Sequence, residues 1–182
     1  YKRQVQTWQA EGGNFVGQLA RTADDSPYAS DTEALNAVFN ALFYLEKITK
    51  DRKLATPLGL RDCEVEDCAT AVESPWAELG APAIHANLVG FRALFTGADG
   101  AGMDDLLAEV GEEELAAEMV AHLDDAIAIA EAMDGSLEDL VRNDPESVEA
   151  LYDPVQKACA LLKGDIAIVL TLQVPAEAAG DN

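Results

Sequence analysis

The chain reads as an all-α protein of the four-helix-bundle type, with additional short helices and one long irregular connection. Three observations predict this. Apolar residues recur at helical spacing over several long stretches, no β-type alternation exceeds a few residues, and capping and breaking residues punctuate the stretches where helices should start and stop. The 182 residues are 49% hydrophobic and 25% charged, an ordinary globular composition. A chain of this length should bury roughly 70% of its unfolded surface, so a real core is expected. The expected organisation is a single helical domain over 1–182, with a leading helix and connector in 1–26.

A first helix is predicted over 2–22, weakened or bent at Gly12 and Gly13. ADDSPY (23–28) is a connector. Ser30 and Glu33 form an S-x-x-E capping box ahead of a helix from Asp31 to about Leu54, with Leu35, Val38, Phe39, Leu42, Leu45 and Ile48 on one face. Pro57 closes it. Residues 55–80, with Pro57, Gly59, Pro75 and Gly80, read as the long irregular connection; such segments are often functional. A helix then carries Pro82 in its first turn, presents Ile84, Leu88, Phe91, Leu94 and Phe95, and ends at Gly97. GADGAG (97–102) is a turn before a short helix through Val110. From Glu112 to Met133 runs the clearest helix, striped by Leu115, Met119, Leu123, Ala126, Ile127 and Ala130, with an acidic first turn that suits the helix dipole. Gly135 ends it, and a short helix follows Ser136. The last helix opens at Pro145 and continues to about Leu172, with a kink or restart expected at Pro154. Its core face includes Val148, Leu151, Val155, Leu162, Ile166, Val169 and Leu170.

Charge narrows the function classes. Twelve Lys and Arg against 34 Asp and Glu give −22 and a sequence pI of about 4.1. With no basic stretch to neutralise phosphates, nucleic-acid binding is excluded. The carboxylates are spread along the chain, which favours a hydrated acidic surface over a cation-attracting site. No apolar run approaches the ~18–20 residues of a membrane span. The chain opens at Tyr1 without a signal-peptide pattern, and is expected to be mature protein and part of a longer one.

Candidate chemistry is sparse. Cys63 and Cys68 either close a small disulfide loop or stand as reduced surface thiols; with no His or third Cys nearby they make a poor zinc site. Cys159, in VQKACALLK, reads as a buried small hydrophobe. His85 lacks the H-x-x-E partner, because position 88 is Leu. Glu118, His122 and Asp125 share a helical face and could hold a metal, against the plainer reading of a solvated polar face. There is no G-x-S-x-G, H-E-x-x-H or phosphate-binding glycine loop, so no catalytic residue is assigned. Lys47, Lys50, Arg52 and Lys53 form the only basic run; it suits the C-terminal end of a helix or, alternatively, a local anion or partner contact.

Several stretches, taken in order, resemble the imelysin family of bacterial envelope proteins. They are YASDTEALNAVFNALFYLEKITKDRKLATPLG (28–59), VESPW (72–76), ANLVGFRALFTG (86–97) and GDIAIVLTLQVPAEAAGDN (164–182). Together they cover most of 27–182 and look like that family's C-terminal half. The resemblance implies two similar helical bundles with a site between them, a periplasmic location reached by export, and an association with iron uptake. It also implies a cataloguing as metallopeptidases that rests on a G-x-H-x-x-E motif. This chain lacks that motif; its nearest echo is Gly90-Phe91-Arg92-Ala93-Leu94-Phe95, where Arg and Phe cannot stand in for a metal-binding His and Glu. Carried over to this sequence, Glu73, Ser74 and Asn87 become candidate contributors to the inter-bundle site, against capping or core-edge hydrogen bonding. Three functions follow. The first is a binding protein for iron acquisition that supplies one wall of a metal or ligand site, with an N-terminal imelysin bundle as partner and iron as the candidate cofactor. The second is half of an imelysin-type metallopeptidase. The third is an acidic helical interaction module for an envelope redox or transport protein.

Overall fold

A computed structural model describes residues 2–21 and 24–179. The predicted end of the first helix at residue 22, the first connector residue at 23 and the last three residues of the C-terminal stretch lie outside them. The protein is all-α, and the described residues contain no strand. It divides into two compact units, Tyr1–Ala41 and Leu42–Asn182.

The first unit holds α1 (Lys2–Trp8), α2 (Phe15–Leu19) and most of α3 (Asp31–Leu42). The glycine pair does break the first predicted helix, since Gly12 and Gly13 lie in the turn between α1 and α2. At α3 the Ser30 hydroxyl accepts from the Glu33 N–H at 3.1 Å. The Glu33 carboxylate reaches back one residue further than a standard box and accepts from the Ala29 N–H at 2.7 Å.

The second unit carries the helix that sequence periodicity misjudged. Beyond Tyr44 the chain is not α-helical: Leu45–Ala55 is an 11-residue π-helix. Its i→i+5 bonding puts about one extra residue into each turn, so an apolar row set at 3.6 spacing slips around the axis. Leu45 is buried as expected, but Ile48 is only half-buried, and Glu46, Thr49, Lys50, Asp51 and Lys53 take the inner face. The wide turns close where the Thr56 N–H bonds to Asp51 O and the Leu60 N–H to Ala55 O, both at 2.9 Å. Gly59, at φ +71, makes the exit in a left-handed conformation suited to glycine.

The connection 56–79 is irregular, as predicted, apart from two 3₁₀ turns, Cys68–Ala71 and Pro75–Ala77. Four helices follow: α4 (Gly80–Phe95), α5 (Met103–Glu109), α6 (Glu113–Ala132) and α7 (Leu137–Asn143). Gly80 lies against Leu137, where an added Cβ would come within 2.9 Å of the Leu137 Cβ. The Ser136 hydroxyl caps α7 by accepting from the Asp139 N–H at 3.1 Å. Then come α8 (Pro145–Leu161), a second π-helical segment (Leu162–Ile166), α9 (Ala167–Val169) and α10 (Ala176–Ala179).

The π-helix packs on α4 and α8, and α6 packs on the same two. Between them lie the fully buried Leu45, Leu54, Ile84, Leu88, Leu123 and Leu151. Burying one such side chain stabilises the fold by about 1.5–3 kcal/mol. Two expectations are corrected here. Leu94 is 65% exposed, so α4 buries Phe91 and Phe95 without it. Helix α8 runs through Pro154 unbroken, with Leu151, Val155 and Ala158 buried around it, and the change of helical type comes eight residues later at Leu162. Among the described residues no helix is long and apolar enough to cross a membrane.

Candidate functional site

The buried face of the π-helix places five polar side chains, four of them charged, inside the second unit. Lys53, 5% exposed, turns toward the irregular connection and α4. Its ammonium donates to Glu73 Oε2 at 3.0 Å. With the Asn87 amide oriented so that its oxygen faces that ammonium, Asn87 Oδ1 accepts from Lys53 Nζ at 2.9 Å and its nitrogen donates to Ala83 O at 3.3 Å. Two of the three residues singled out from the sequence therefore meet on one buried lysine. Glu73, with 44% of its side chain exposed, presents its carboxylate at the surface. Ser74 follows in a left-handed conformation (φ 58) at the start of the second 3₁₀ turn, and its hydroxyl caps nothing. The Ser74 hydroxyl thus makes no cap, and the Glu73 carboxylate is engaged by Lys53.

On the other side of the π-helix a second charge cluster faces α8. Glu46, 1% exposed, accepts through Oε1 from Lys50 at 3.3 Å and from Lys163 at 3.2 Å. Its Oε2 is buried with no hydrogen-bond partner. Lys50 also lies 3.3 Å from Asp51 Oδ1, and Asp51 Oδ2 accepts from Arg61 at 3.2 Å. Burial disfavours the Lys50 ammonium, but the Asp51 and Glu46 carboxylates beside it favour the charged form, and its pKa stands above the usual lysine value. Cys159 beside it is fully buried, and burial pushes its thiol well above the ordinary cysteine range, so it is an unreactive thiol at neutral pH. This cluster borders a recess of about 580 Å³, with Tyr152, Arg61 and Lys163 in its walls.

The basic run is thus not a solvated helix end. Lys50 and Lys53 are buried in ion pairs, while Arg52 is exposed. Glu46, Asp51, Arg61 and Lys163 escaped the sequence reading altogether. Glu46 and Lys50 at i, i+4 beside the apolar Leu42, Leu45 and Ile48 were the available signal, and Lys163 lies 117 residues away from its partner Glu46.

Cys63 and Cys68 are joined as a disulfide. The loop it closes is held on one side by Arg142 of α7, which donates to Asp67, and on the other by Arg61 on Asp51. The Arg142 hydrogen bond keeps the Asp67 carboxyl below the usual aspartate value. The Glu118, His122 and Asp125 face does not close on a metal site. His122 Nε2 lies 3.7 Å from Glu118 Oε1, and among the described residues no three His, Cys, Asp or Glu side chains gather as a metal-holding group. Glu73 alone would offer a metal one carboxylate at the Lys53 corner.

The imelysin family model, Peptidase M75, matches residues 1–162. The match takes in the leading helices, which carried no part of the resemblance seen in the sequence, and ends before the C-terminal stretch 164–182 that did. No curated protein and no solved structure matches the chain. With more than half of its length covered, the chain belongs to the imelysin family.

Proposed function

We propose that this protein acts as an imelysin-type binding protein associated with iron uptake in the bacterial envelope, and that the Lys53 corner forms one wall of a metal or ligand site completed by an N-terminal bundle. The observation that carries the reading is the convergence of Glu73 and Asn87 on the buried Lys53. A buried ammonium holding a half-exposed carboxylate fixes that carboxylate's position, which is what a shared site needs from one of its walls. The Cys63–Cys68 disulfide supports an oxidising compartment, as export to the periplasm provides.

On this reading Glu73 supplies one oxygen ligand, Ser74 and Asn87 polar contacts beside it, and the second bundle the remaining donors. The test is an anaerobic ferrous-iron titration of this chain alone and mixed with the N-terminal bundle. Binding should tighten by roughly tenfold or more in the mixture, the gain expected from completing a ligand set. Glu73→Gln should abolish that gain. Equal affinity with and without the partner bundle would sink the reading.

A further inference from the structure

The basic run has a second consequence, independent of the Lys53 corner and of any metal. The recess of about 580 Å³ beside α8 and a smaller one of about 310 Å³ beside the end of the π-helix share Arg61 and Asp62 as a common wall. Lys50 and Lys163 face the larger, Lys47 and Arg52 the smaller. Among the described residues, five of the chain's twelve cations thus line this pair of recesses, against three carboxylates, Glu46, Asp51 and Asp62. A local surplus of positive charge has formed in a chain whose net charge is −22. The surrounding negative field would repel anions from most of the surface, so this is where an anion could be held.

The donors have the geometry for it. Lys50 donates to Glu46, lies 3.3 Å from Asp51 Oδ1, and lines the larger recess with its ammonium held in place. Arg61 is set between Asp51 and Asp62, each at 3.2 Å, at the boundary of the two recesses, and a guanidinium fork matches carboxylate and phosphate oxygens. Arg52 is exposed and has no ion-pair partner among the described residues. Tyr152 adds a neutral hydroxyl to the larger recess.

We propose that the paired recesses around Arg61 bind a small oxyanion, either an organic carboxylate or a phosphate. The experiment is a calorimetric titration of the chain at low ionic strength with inorganic phosphate and, separately, with succinate. Saturable binding should be seen, and Arg61→Gln and Arg52→Gln should each weaken it by roughly tenfold, the loss of one charge-assisted contact. Binding of one probe only identifies the class, and equal binding of both identifies a general oxyanion subsite. Lys157→Gln removes an exposed cation of α8 outside both recesses and should leave binding unchanged. If Arg61→Gln fails to fold because Asp51 loses its partner, Arg52→Gln decides. If neither phosphate nor succinate binds saturably, the proposal is overturned, and so it is by an equal weakening in Lys157→Gln.

Discussion

Two long helices of the second unit bury their inner faces in opposite ways. Helix α6 buries Ala116, Met119, Leu123, Ala126 and Ala130, all apolar, and leaves its carboxylates in water. The π-helix Leu45–Ala55 buries Leu45, Leu54 and Ala55 together with Glu46, Thr49, Lys50, Asp51 and Lys53. The first is held by area removed from water, which is additive and tolerant of small shifts. The second depends on each buried charge finding its partner, because desolvating an ion costs several kcal/mol and only good pairing offsets it. The difference teaches that α6 is held by area and the π-helix by pairing, so the π-helix tolerates the loss of a single partner far less.

The largest expected effect breaks the charged side of this comparison. Lys50→Ala leaves Glu46 and Asp51 buried with one partner fewer, and should cost about 4 kcal/mol in urea unfolding. The same residue predicts a pH signature. Its folded pKa is raised, so its contribution is fully present below the ordinary lysine value and is lost as pH rises through the folded value. Wild-type protein should therefore lose stability in strongly alkaline solution along a slope that Lys50→Met lacks; identical alkaline profiles would contradict the buried pair.

Leu123→Ala tests the apolar side. Truncating this fully buried residue of α6 should cost about 3 kcal/mol, with the same cost at every pH where the protein is folded. A pH-dependent cost would mean that the two helices are not separable in this way. The smallest effect is at the rim. Asp67→Asn removes the exposed partner of Arg142 and should shift the urea midpoint least of the three. Because the Asp67 pKa is lowered, its contribution is present above the ordinary aspartate value and disappears as pH falls through the folded one. The variant and wild type should converge in acid.

Much of the fold was legible beforehand. The periodicity of α4, α6 and α8, the Ser30 cap, the short helix after Ser136, the glycine break between α1 and α2 and the irregular connection read over 55–80 all follow from local rules that act within a few residues. The candidate site was legible only in part. Glu73 and Asn87 were reached through family resemblance, and nothing in their spacing announced the lysine between them. Helix type at 45–55 was misjudged because a 3.6-residue period assumes the bonding pattern that the π-helix abandons.

Composition, net charge and apolar period by themselves determined that this protein is acidic and all-α, and where most of its helices begin and end. Only the tertiary structure decided which charges lie inside. Lys50 and Lys53 carry the same side chain as the exposed Lys157, and their burial depends on Glu46 and Asp51, on Glu73 in the connection, and on what α4 and α8 bring alongside. A buried ion is stable only where its partners converge, and that convergence joins segments more than a hundred residues apart.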